Sequence, residues 1–203
     1  MIAIIDYGVG NLASVQNAFR KVGFPSLITS EPEQILKADK VVLPGVGSFA
    51  DGMDSLHQMG LTEVIYEVVK KEIPLLGICL GMQMLFSTSE EAGLHRGMEL
   101  IPGKVRRFQL DSSYKVPHMG WNTIRIAGSS RLFHDVYPGS YVYFVHSFYT
   151  EPEDPQVKAA ISDYGIEFTC AVEKGNIFGT QFHPEKSGEV GLKILRNFGE
   201  LKA

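Results

Sequence analysis

The chain has 203 residues, of which 44% are hydrophobic and 21% are charged, and its formal net charge at pH 7 is −4. This mildly acidic composition is typical of a globular protein and gives no reason to expect nucleic acid or an anionic membrane as a partner. No apolar run approaches the ~20 residues that span a bilayer, and the length predicts one domain over residues 1–203.

The number of cysteines and the first residues of the chain indicate the cellular compartment. Cys79 and Cys170 are too few for a disulfide framework and lack the spacing of a metal site. The stretch from Met1 to Asp6 lacks the basic start and small-residue cleavage site of a secretory signal, and it predicts a first strand instead. A reducing cytoplasm fits this pattern best, and we expect neither a metal nor a cofactor.

The first half of the chain alternates short apolar runs with segments of helical spacing. Strands are predicted at residues 2–5, 26–29, 41–43 and 73–78, and helices at 12–22, after residue 31, after residue 48, at 61–69 and at 80–86. Asn11 is expected to cap the first helix, and Ser48 with Asp51 has capping-box spacing. Because parallel strands need helical crossovers, this order predicts an α/β fold with an open, mostly parallel sheet and helices on both faces.

Cys79 stands where the fourth predicted strand gives way to a helix. Gly77 and Gly81 flank it at two residues' distance on each side. Small residues there allow a sharp strand-to-helix turn that lifts the central side chain, as in a nucleophile elbow, and a helix N-terminus favours thiolate. The alternative is a buried structural cysteine within a core strand, and this stretch alone does not decide between the two.

After about residue 100 the pattern changes to strands joined by Gly, Pro, Asp and Ser turns. Strands are predicted at residues 105–108, 122–126, 141–145, 157–161, 168–172 and 177–182, with an amphipathic helix over 190–201. A hairpin turn is expected at residues 174–176. The second half is therefore expected to be strand-rich and mixed or antiparallel.

A cysteine nucleophile needs a base, and His183 is the candidate because it follows the last predicted strand. Catalytic groups gather at the carboxyl ends of parallel strands, and Cys79 and His183 both stand at such ends. Pro184 favours an extended His183, and Glu185 is positioned to hold its imidazole in one tautomer. Taken alone, the tripeptide is more simply a surface turn; its pairing with a strand-terminal Cys79 reverses that and favours the catalytic interpretation.

An acyl-transfer site also needs donors for an oxyanion. The backbone N–H of Leu80, at the predicted helix start, is one candidate. The segment Pro44-Gly45-Val46-Gly47 supplies another, since glycines allow a backbone N–H to turn towards a ligand. The segment lacks the lysine of a phosphate-binding loop, and the alternative is an ordinary glycine-rich turn.

Several motifs together resemble a known family. The elbow Gly77–Gln83 with a distal Phe182–Glu185 is similar to the class I (triad) glutamine amidotransferases, which implies a flavodoxin-like fold. Within that class, five further segments resemble the glutaminase subunits of imidazole glycerol phosphate synthase along essentially the whole chain. These segments are residues 6–12, 44–49, 117–122, 143–147 and 183–187. Phe148 departs from the pattern, since a tyrosine is expected there in many members.

The resemblance implies a reaction and a set of residue roles. Cys79 would attack the carboxamide of L-glutamine and form a γ-glutamyl thioester, with His183 as the base and Glu185 orienting it. The implied oxyanion hole is Val46 and Leu80, and the implied glutamine contacts are Gly47 and Gln83. The ammonia would pass to a partner, a (β/α)₈ barrel cyclase that forms a heterodimer with this chain. The implied interface residues are Asn11, Trp121, Tyr143 and Lys186, although a buried core position is the alternative for Trp121.

Three alternatives remain open. The chain could serve another glutamine amidotransferase, of anthranilate, guanylate or pyridoxal phosphate synthesis, because all of these share the triad. It could be a stand-alone cysteine hydrolase acting on γ-glutamyl conjugates, which would turn over fully without a partner. It could also be an inactive interaction module on the same fold, an interpretation that the intact triad disfavours.

Overall fold

The computed structural model describes residues 1–201, and its first half follows the predicted alternation of strands and helices. The strands are β1 (Ile2–Ile5), β2 (Ser26–Thr29), β3 (Lys40–Leu43) and β4 (Leu75–Ile78). The helices are α1 (Leu12–Lys21), α2 (Pro32–Leu36), α3 (Phe49–Gln58), α4 (Leu61–Lys70) and α5 (Leu80–Met84). All four strands run parallel, which the helical crossovers between them require.

The second half is strand-rich, as expected, and ends in a helix. Its strands are β5 (Phe86–Ser89), β6 (His95–Arg96), β7 (Ile101–Arg107), β8 (His118–Thr123), β9 (Arg125–Ile126), β10 (Tyr141–His146), β11 (Phe148–Pro152), β12 (Lys158–Asp163), β13 (Glu167–Lys174) and β14 (Ile177–Thr180). Helix α6 spans Gly188–Glu200, and short 3₁₀ turns occupy Arg131–Phe133, Pro155–Val157 and Pro184–Lys186. The predicted hairpin turn joins β13 to β14, with Lys174 paired to Ile177.

One large sheet carries the fold. Its strand order is β2-β1-β3-β4-β14-β13-β11-β7-β5-β6; outside this order, β12 also pairs with β13, and β9 pairs with β12. Strand β14 runs parallel to β4, and Thr180 pairs with Ile78. The residues that follow β4 and β14 therefore leave the sheet at the same edge. A separate antiparallel ribbon of β8 and β10 lies outside this sheet.

Helices cover both faces of the parallel half because successive strand residues point to opposite sides. On one face, Ile4 of β1 packs in a buried cluster with Phe19 of α1 and Phe198 of α6. On the other, Ile5 packs in a cluster with Phe49 of α3 and helix α4. The predicted mixed α/β architecture is thus confirmed. None of the helices described between residues 1 and 201 has both the length and the apolar character to cross a membrane.

The structure corrects several local predictions. Asn11 precedes α1, but its side chain makes no capping hydrogen bond, and its ψ of 62° lies outside the extended conformation that suits a cap. Helix α5 ends at Met84 rather than residue 86, because Phe86 begins β5, which pairs with β7. Strands β5, β6 and β11 were not predicted. A single domain over 1–203 stays a prediction, and residues 202–203 lie outside the described part.

Candidate active site

Cys79 occupies the sharp turn between β4 and α5. Its φ of 54° and ψ of −110° put a non-glycine residue in a sparsely populated conformation. Its N–H donates to the carbonyl of Thr180 at 2.7 Å, and its carbonyl accepts the N–H of Gln83 at 3.2 Å. Cys79 is 8% exposed and stands after the strand rather than within it. The predicted strand–turn–helix elbow is present.

Glycine is required on both sides of this elbow because backbone segments approach too closely for a side chain. A Cβ on Gly77 would lie 2.7 Å from the backbone nitrogen of Met82. A Cβ on Gly81 would overlap the carbonyl oxygen of Leu43. Helix α5 therefore packs directly against the ends of β3 and β4, and this close packing forces the chain to turn at Cys79.

His183 follows β14 by three residues and reaches the elbow from the neighbouring strand. Its φ of −97° and ψ of 98° are extended, as the following Pro184 predicts. The ring nitrogen Nδ1 lies 2.8 Å from Oε1 of Glu185, and both side chains are almost fully buried. Because a carboxylate only accepts, Nδ1 carries the proton in the neutral ring and Nε2 is left with a free lone pair.

Burial by itself lowers the pKa of His183, since it disfavours the charged ring. Hydrogen bonding and charge interaction with Cys79 and with Glu185 outweigh burial and raise the pKa to about 9. Nε2 is buried beside the Cys79 sulfur, and the raised pKa makes this nitrogen a strong acceptor for the thiol proton. A cysteine beside an oriented imidazole is the arrangement that activates a thiol nucleophile.

One buried glutamine contacts the sulfur, and a second buried glutamine contacts the first. Gln181 Nε2 donates to Cys79 Sγ at 3.7 Å. Gln83 Nε2 donates to Gln181 Oε1 at 3.0 Å and to the carbonyl of Phe148 at 3.2 Å. Gln181 was not found from the sequence; its position in an apolar strand two residues before His183 was the available signal.

The glycine-rich loop after β3 lies close to the start of α5, where Gly45 packs against Leu80 and Gly81. The hydroxyl of Tyr7 donates to the carbonyl of Pro44 at 2.7 Å, and burial, reinforced by Cys79, raises the pKa of this tyrosine. Ser48 caps α3, as predicted, with its Oγ 3.3 Å from the N–H of Asp51. Within residues 1–201, the N–H groups of Val46 and Gly47 donate to no protein acceptor. The loop is thus fastened at both ends, with two unused donors between them.

These elements surround a cavity of about 380 Å³, which is large enough for a ligand the size of an amino acid. Six of the residues singled out from the sequence line it, namely Val46, Gly47, Cys79, Leu80, Gln83 and His183. Glu185 does not line it and lies behind His183. As the first residue of α5, Leu80 has a backbone N–H with no partner inside the helix.

The family model for "Glutamine amidotransferase class-I" matches residues 3–201 of this chain. The chain belongs to the class-I glutamine amidotransferase family. It is 52% identical over 200 residues to "Imidazole glycerol phosphate synthase subunit HisH" of Moorella thermoacetica, covering 98% of this chain and 94% of the relative. It is 54% identical over 207 residues to the protein of the same name from Geobacter metallireducens, covering 100% and 99%.

Solved structures of other proteins have a similar fold. The structure of PurLQS from Thermotoga maritima matches with a TM-score of 0.76 at 19% identity, covering 97% of this chain and 96% of that one. The glutaminase domain of CTPS from Trypanosoma brucei, with bound acivicin, matches with a TM-score of 0.65 at 18% identity, covering 100% and 94%. At these identities the likeness concerns the fold.

The amidotransferase cavity contains a carboxylate that was not found from the sequence. Glu91 lines it, is half-buried, and accepts the N–H of Phe49 through Oε2 at 2.6 Å. This contact fixes the Glu91 side chain through Oε2 and leaves Oε1 available to accept a hydrogen bond from a ligand. Glu91 lies in the segment between β5 and β6, two strands that the sequence pattern did not predict, and it had no recognisable spacing to the elbow.

The amidotransferase residues expected at an interface lie outside the cavity. Trp121 is 56% exposed, so the alternative of a buried core tryptophan is wrong. It pairs across the β8–β10 ribbon with Tyr143, with ring centroids 6.1 Å apart, and Lys186 Nζ lies 5.9 Å from the Tyr143 ring. Asn11 is half-buried before α1. Trp121, Tyr143 and Lys186 thus form one surface group, and Asn11 is not part of it.

Two histidines, His118 of β8 and His146 of β10, lie opposite each other at one end of that ribbon. His118 Nδ1 and His146 Nε2 are 2.9 Å apart, and both rings are buried. Burial lowers the pKa of His118 to about 4 and, with a smaller contribution from the neighbouring imidazoles, that of His146 to about 3. Both rings are therefore neutral at neutral pH, which suits a structural contact.

Proposed function

We propose that this chain is the glutaminase subunit of imidazole glycerol phosphate synthase. It hydrolyses L-glutamine to glutamate and ammonia through a thioester on Cys79, and the ammonia passes to a (β/α)₈ barrel cyclase that forms imidazole glycerol phosphate. The observation that carries the proposal is the Cys79 elbow facing an imidazole held by Glu185 at 2.8 Å. The sequence identity of 52% and 54% to two HisH proteins supports the choice of this synthase among the amidotransferases.

The first half-reaction forms the thioester. His183 Nε2 takes the thiol proton, Cys79 Sγ bonds to the carboxamide carbon, and the carbonyl oxygen becomes an oxyanion. The imidazolium then gives its proton to the amide nitrogen, the C–N bond breaks, and ammonia leaves. Glu185 keeps Nδ1 protonated throughout, so that Nε2 always faces the reacting atoms.

The second half-reaction regenerates the thiol. His183 Nε2 takes a proton from water, and the hydroxyl oxygen bonds to the thioester carbon. The C–S bond then breaks, the imidazolium returns its proton to the sulfur, and glutamate is released. In both steps the oxyanion would accept from the N–H groups of Leu80 and Val46. Losing one such donor typically costs about 3 to 4 kcal/mol of transition-state stabilisation.

The glutamine backbone would be held opposite the elbow. Gly47 offers a backbone donor suited to a carboxylate. Both amide hydrogens of Gln83 are already used, so Gln83 would meet the ligand through its oxygen, which suits an ammonium group. Glu91 adds a carboxylate with one oxygen to spare, which also suits an ammonium group.

Replacing Glu91 with glutamine is therefore expected to weaken glutamine binding. Removing the charge while keeping the shape should raise the KM for glutamine about 10- to 100-fold, since charge-assisted contacts typically contribute about 1.5 to 3 kcal/mol. Steady-state kinetics would measure KM and kcat. The exposed Glu90, which lies outside the cavity lining, serves as the matched control as Glu90→Gln. An unchanged KM in Glu91→Gln would exclude Glu91 from the glutamine site.

The partner face would be the surface group of Trp121, Tyr143 and Lys186, with Asn11 at the start of α1. An exposed tryptophan beside a tyrosine and a lysine is typical of an interface anchor. The carbonyl of Tyr143 accepts the N–H of His183 at 3.0 Å, and its N–H donates to Ser187 Oγ. A partner seated on this face would therefore contact residues bonded directly to the catalytic segment.

A glutaminase assay with and without the cyclase and its nucleotide ligand tests the proposal. We expect weak activity alone and strong stimulation by cyclase plus ligand, because the Gly45–Val46 loop is proposed to adopt its donor orientation in the complex. Full activity without a partner would instead indicate a stand-alone hydrolase. Stimulation by an anthranilate, guanylate or pyridoxal phosphate partner would indicate another amidotransferase.

Trp121→Ala sharpens that test. Truncating an interface anchor is expected to cost at least about 2 kcal/mol, or about 30-fold in Kd for the cyclase. Tyr137→Ala is the control, since Tyr137 is 82% exposed and lies outside the surface group. Equal Kd values for the two variants would exclude Trp121 as an anchor.

A cytoplasmic location stays a prediction that rests on two unpaired cysteines.

A further inference from the structure

Gln181, two residues before His183, lies against the nucleophile. Its side chain is fully buried, and its backbone N–H donates to the carbonyl of Cys170 at 2.8 Å, which continues the pairing of β14 with β13. This backbone bond and the pairing of Thr180 with Ile78 fix its position relative to the elbow. Its amide nitrogen lies 3.7 Å from the Cys79 sulfur.

The direction of this contact follows from the chemistry of its neighbours. The carbonyl of Phe148 can only accept, so the group of Gln83 that faces it at 3.2 Å must be the NH₂. The same NH₂ meets Gln181 at 3.0 Å, so Gln181 must present its oxygen there. Its own NH₂ is consequently turned to the sulfur.

The Phe148 carbonyl is itself held in place from a second direction. His146 Nδ1 lies 2.7 Å from it, and because the carbonyl only accepts, Nδ1 carries the proton of this neutral ring. The carbonyl thus accepts from His146 and from Gln83. Rotating the Gln83 amide by 180° would set its oxygen against the Phe148 carbonyl, and rotating the Gln181 amide would set its NH₂ against that of Gln83. Neither clash is tolerable in a buried site, so the orientation of Gln181 is determined by its surroundings.

We propose that Gln181 is a positioning residue of the hydrolase reaction, donating an N–H to the Cys79 sulfur in an orientation set through Gln83 by the Phe148 carbonyl. The donor fixes the position of the sulfur at the wall of the cavity that His183 also lines. It also favours thiolate over thiol, because a hydrogen bond to a charged acceptor is stronger than one to its neutral form. Gln83 thereby joins the glutamine site to the nucleophile.

The proposal deepens the function proposed above and rests on it for the turnover it predicts, but the reactivity of the thiol can be measured without any substrate. The experiment is alkylation of the full-length chain by iodoacetamide over a range of pH, with modification at Cys79 followed by mass spectrometry. Two variants remove the donor, Gln181→Met with similar length and Gln181→Glu with the same shape.

Both variants are expected to react about tenfold more slowly at neutral pH, a factor that corresponds to about 1.4 kcal/mol. The midpoint of the alkylation profile should move up by about one pH unit, and the rates should converge with unmodified protein at high pH. With cyclase and glutamine, kcat should fall more than KM rises. Gln181→Glu preserves the acceptor for Gln83, so it tests the contact even if Gln181→Met folds poorly. Its carboxylate also repels a thiolate, so its midpoint should rise at least as far as that of Gln181→Met.

The matched control is Thr180→Val, one residue earlier in the chain. Thr180 is fully buried and its hydroxyl has no hydrogen-bond partner within residues 1–201, so valine keeps the shape and the backbone contact to Cys79. Its alkylation profile should match that of unmodified protein. Coincident midpoints for all four proteins would overturn the role of Gln181, as would slower alkylation at every pH with no change of midpoint.

The two proposals fail in different ways. If unmodified chain with cyclase does not hydrolyse glutamine while the midpoints still separate, the proposed function is wrong and the contact of Gln181 with the nucleophile stands. If glutamine is hydrolysed and the midpoints coincide, only the role of Gln181 is wrong.

Discussion

Cys79→Ala is expected to lower glutamine hydrolysis by at least about 10⁴-fold, because the alanine side chain cannot form the thioester that divides the reaction into two steps. Cys79 is 8% exposed and its small side chain faces the cavity, so the variant should fold. Alanine keeps the Cβ, so the backbone strain at a φ of 54° should be unchanged. Turnover with saturating cyclase is the measurement.

The other cysteine provides the control. Cys170 is fully buried within β13, and burial raises the pKa of its thiol, which makes it a poor nucleophile. Cys170→Ala should retain turnover, whereas Cys79→Ala should retain only cyclase binding, measured by titration calorimetry. Hydrolysis retained in Cys79→Ala would show that the nucleophile is misassigned. Loss of cyclase binding as well would show that the variant had damaged the fold.

Glu185→Gln is expected to lower turnover by about 10² to 10⁴-fold while leaving the shape of the site intact. A glutamine can present its NH₂ to Nδ1 of His183, which would move the ring proton to Nε2. The imidazole would then face the thiol with a donor and could not take its proton. Kinetics should show the loss in kcat, with little change in the KM for glutamine, because Glu185 lies behind His183 and does not line the cavity.

The same variant should change how stability depends on pH. The pKa of His183 in the folded chain is about 9, above its ordinary value of 6.5, so the stability it contributes is complete below pH 6.5 and is lost as pH rises through about 9. Glu185→Gln removes part of that contribution. The difference in unfolding free energy from unmodified protein should be on the order of 1 kcal/mol near pH 6 and smaller near pH 9.5.

Urea denaturation at the two pH values measures this difference. Glu189→Gln is the control, since Glu189 is an exposed carboxylate four residues further on. A difference that grows with pH would contradict the sign derived from the raised pKa. Unchanged turnover in Glu185→Gln would remove Glu185 from the proposed mechanism.

The strands and helices that surround the elbow were predictable because their signals are local. Strand β1 and strand β2 have the predicted bounds, since short apolar runs between turn residues predict buried strands directly. The end of α5 was not predictable in this way. Phe86 belongs to a strand because β7 lies beside it, and no residue near Phe86 in sequence carries that information.

The candidate site residues divide in the same way, into those with a local sequence signal and those whose contacts are distant in sequence. Cys79, His183 and Glu185 were found from the sequence because each belongs to a short motif at a strand end, where chemistry and backbone geometry are set together. Gln181 was missed because its one local signal, a place two residues before His183, does not say what its side chain contacts. Glu91 was missed because nothing in its own neighbourhood distinguishes it. Their partners are Gln83 and Phe49, 98 and 42 residues away, and these contacts exist only after the sheet has formed.

The sequence by itself determined the elbow at Cys79, the parallel half of the sheet and the family, since propensity, glycine sterics and motif spacing act over a few residues. Only the tertiary structure decided the exposure of Trp121, the place of Glu91 in the cavity and the direction in which Gln181 donates. The last depends on a single carbonyl, that of Phe148, which can accept a hydrogen bond but cannot donate one. Such directions depend on which groups the fold brings together, and pairing across the sheet brings them together over long separations in sequence.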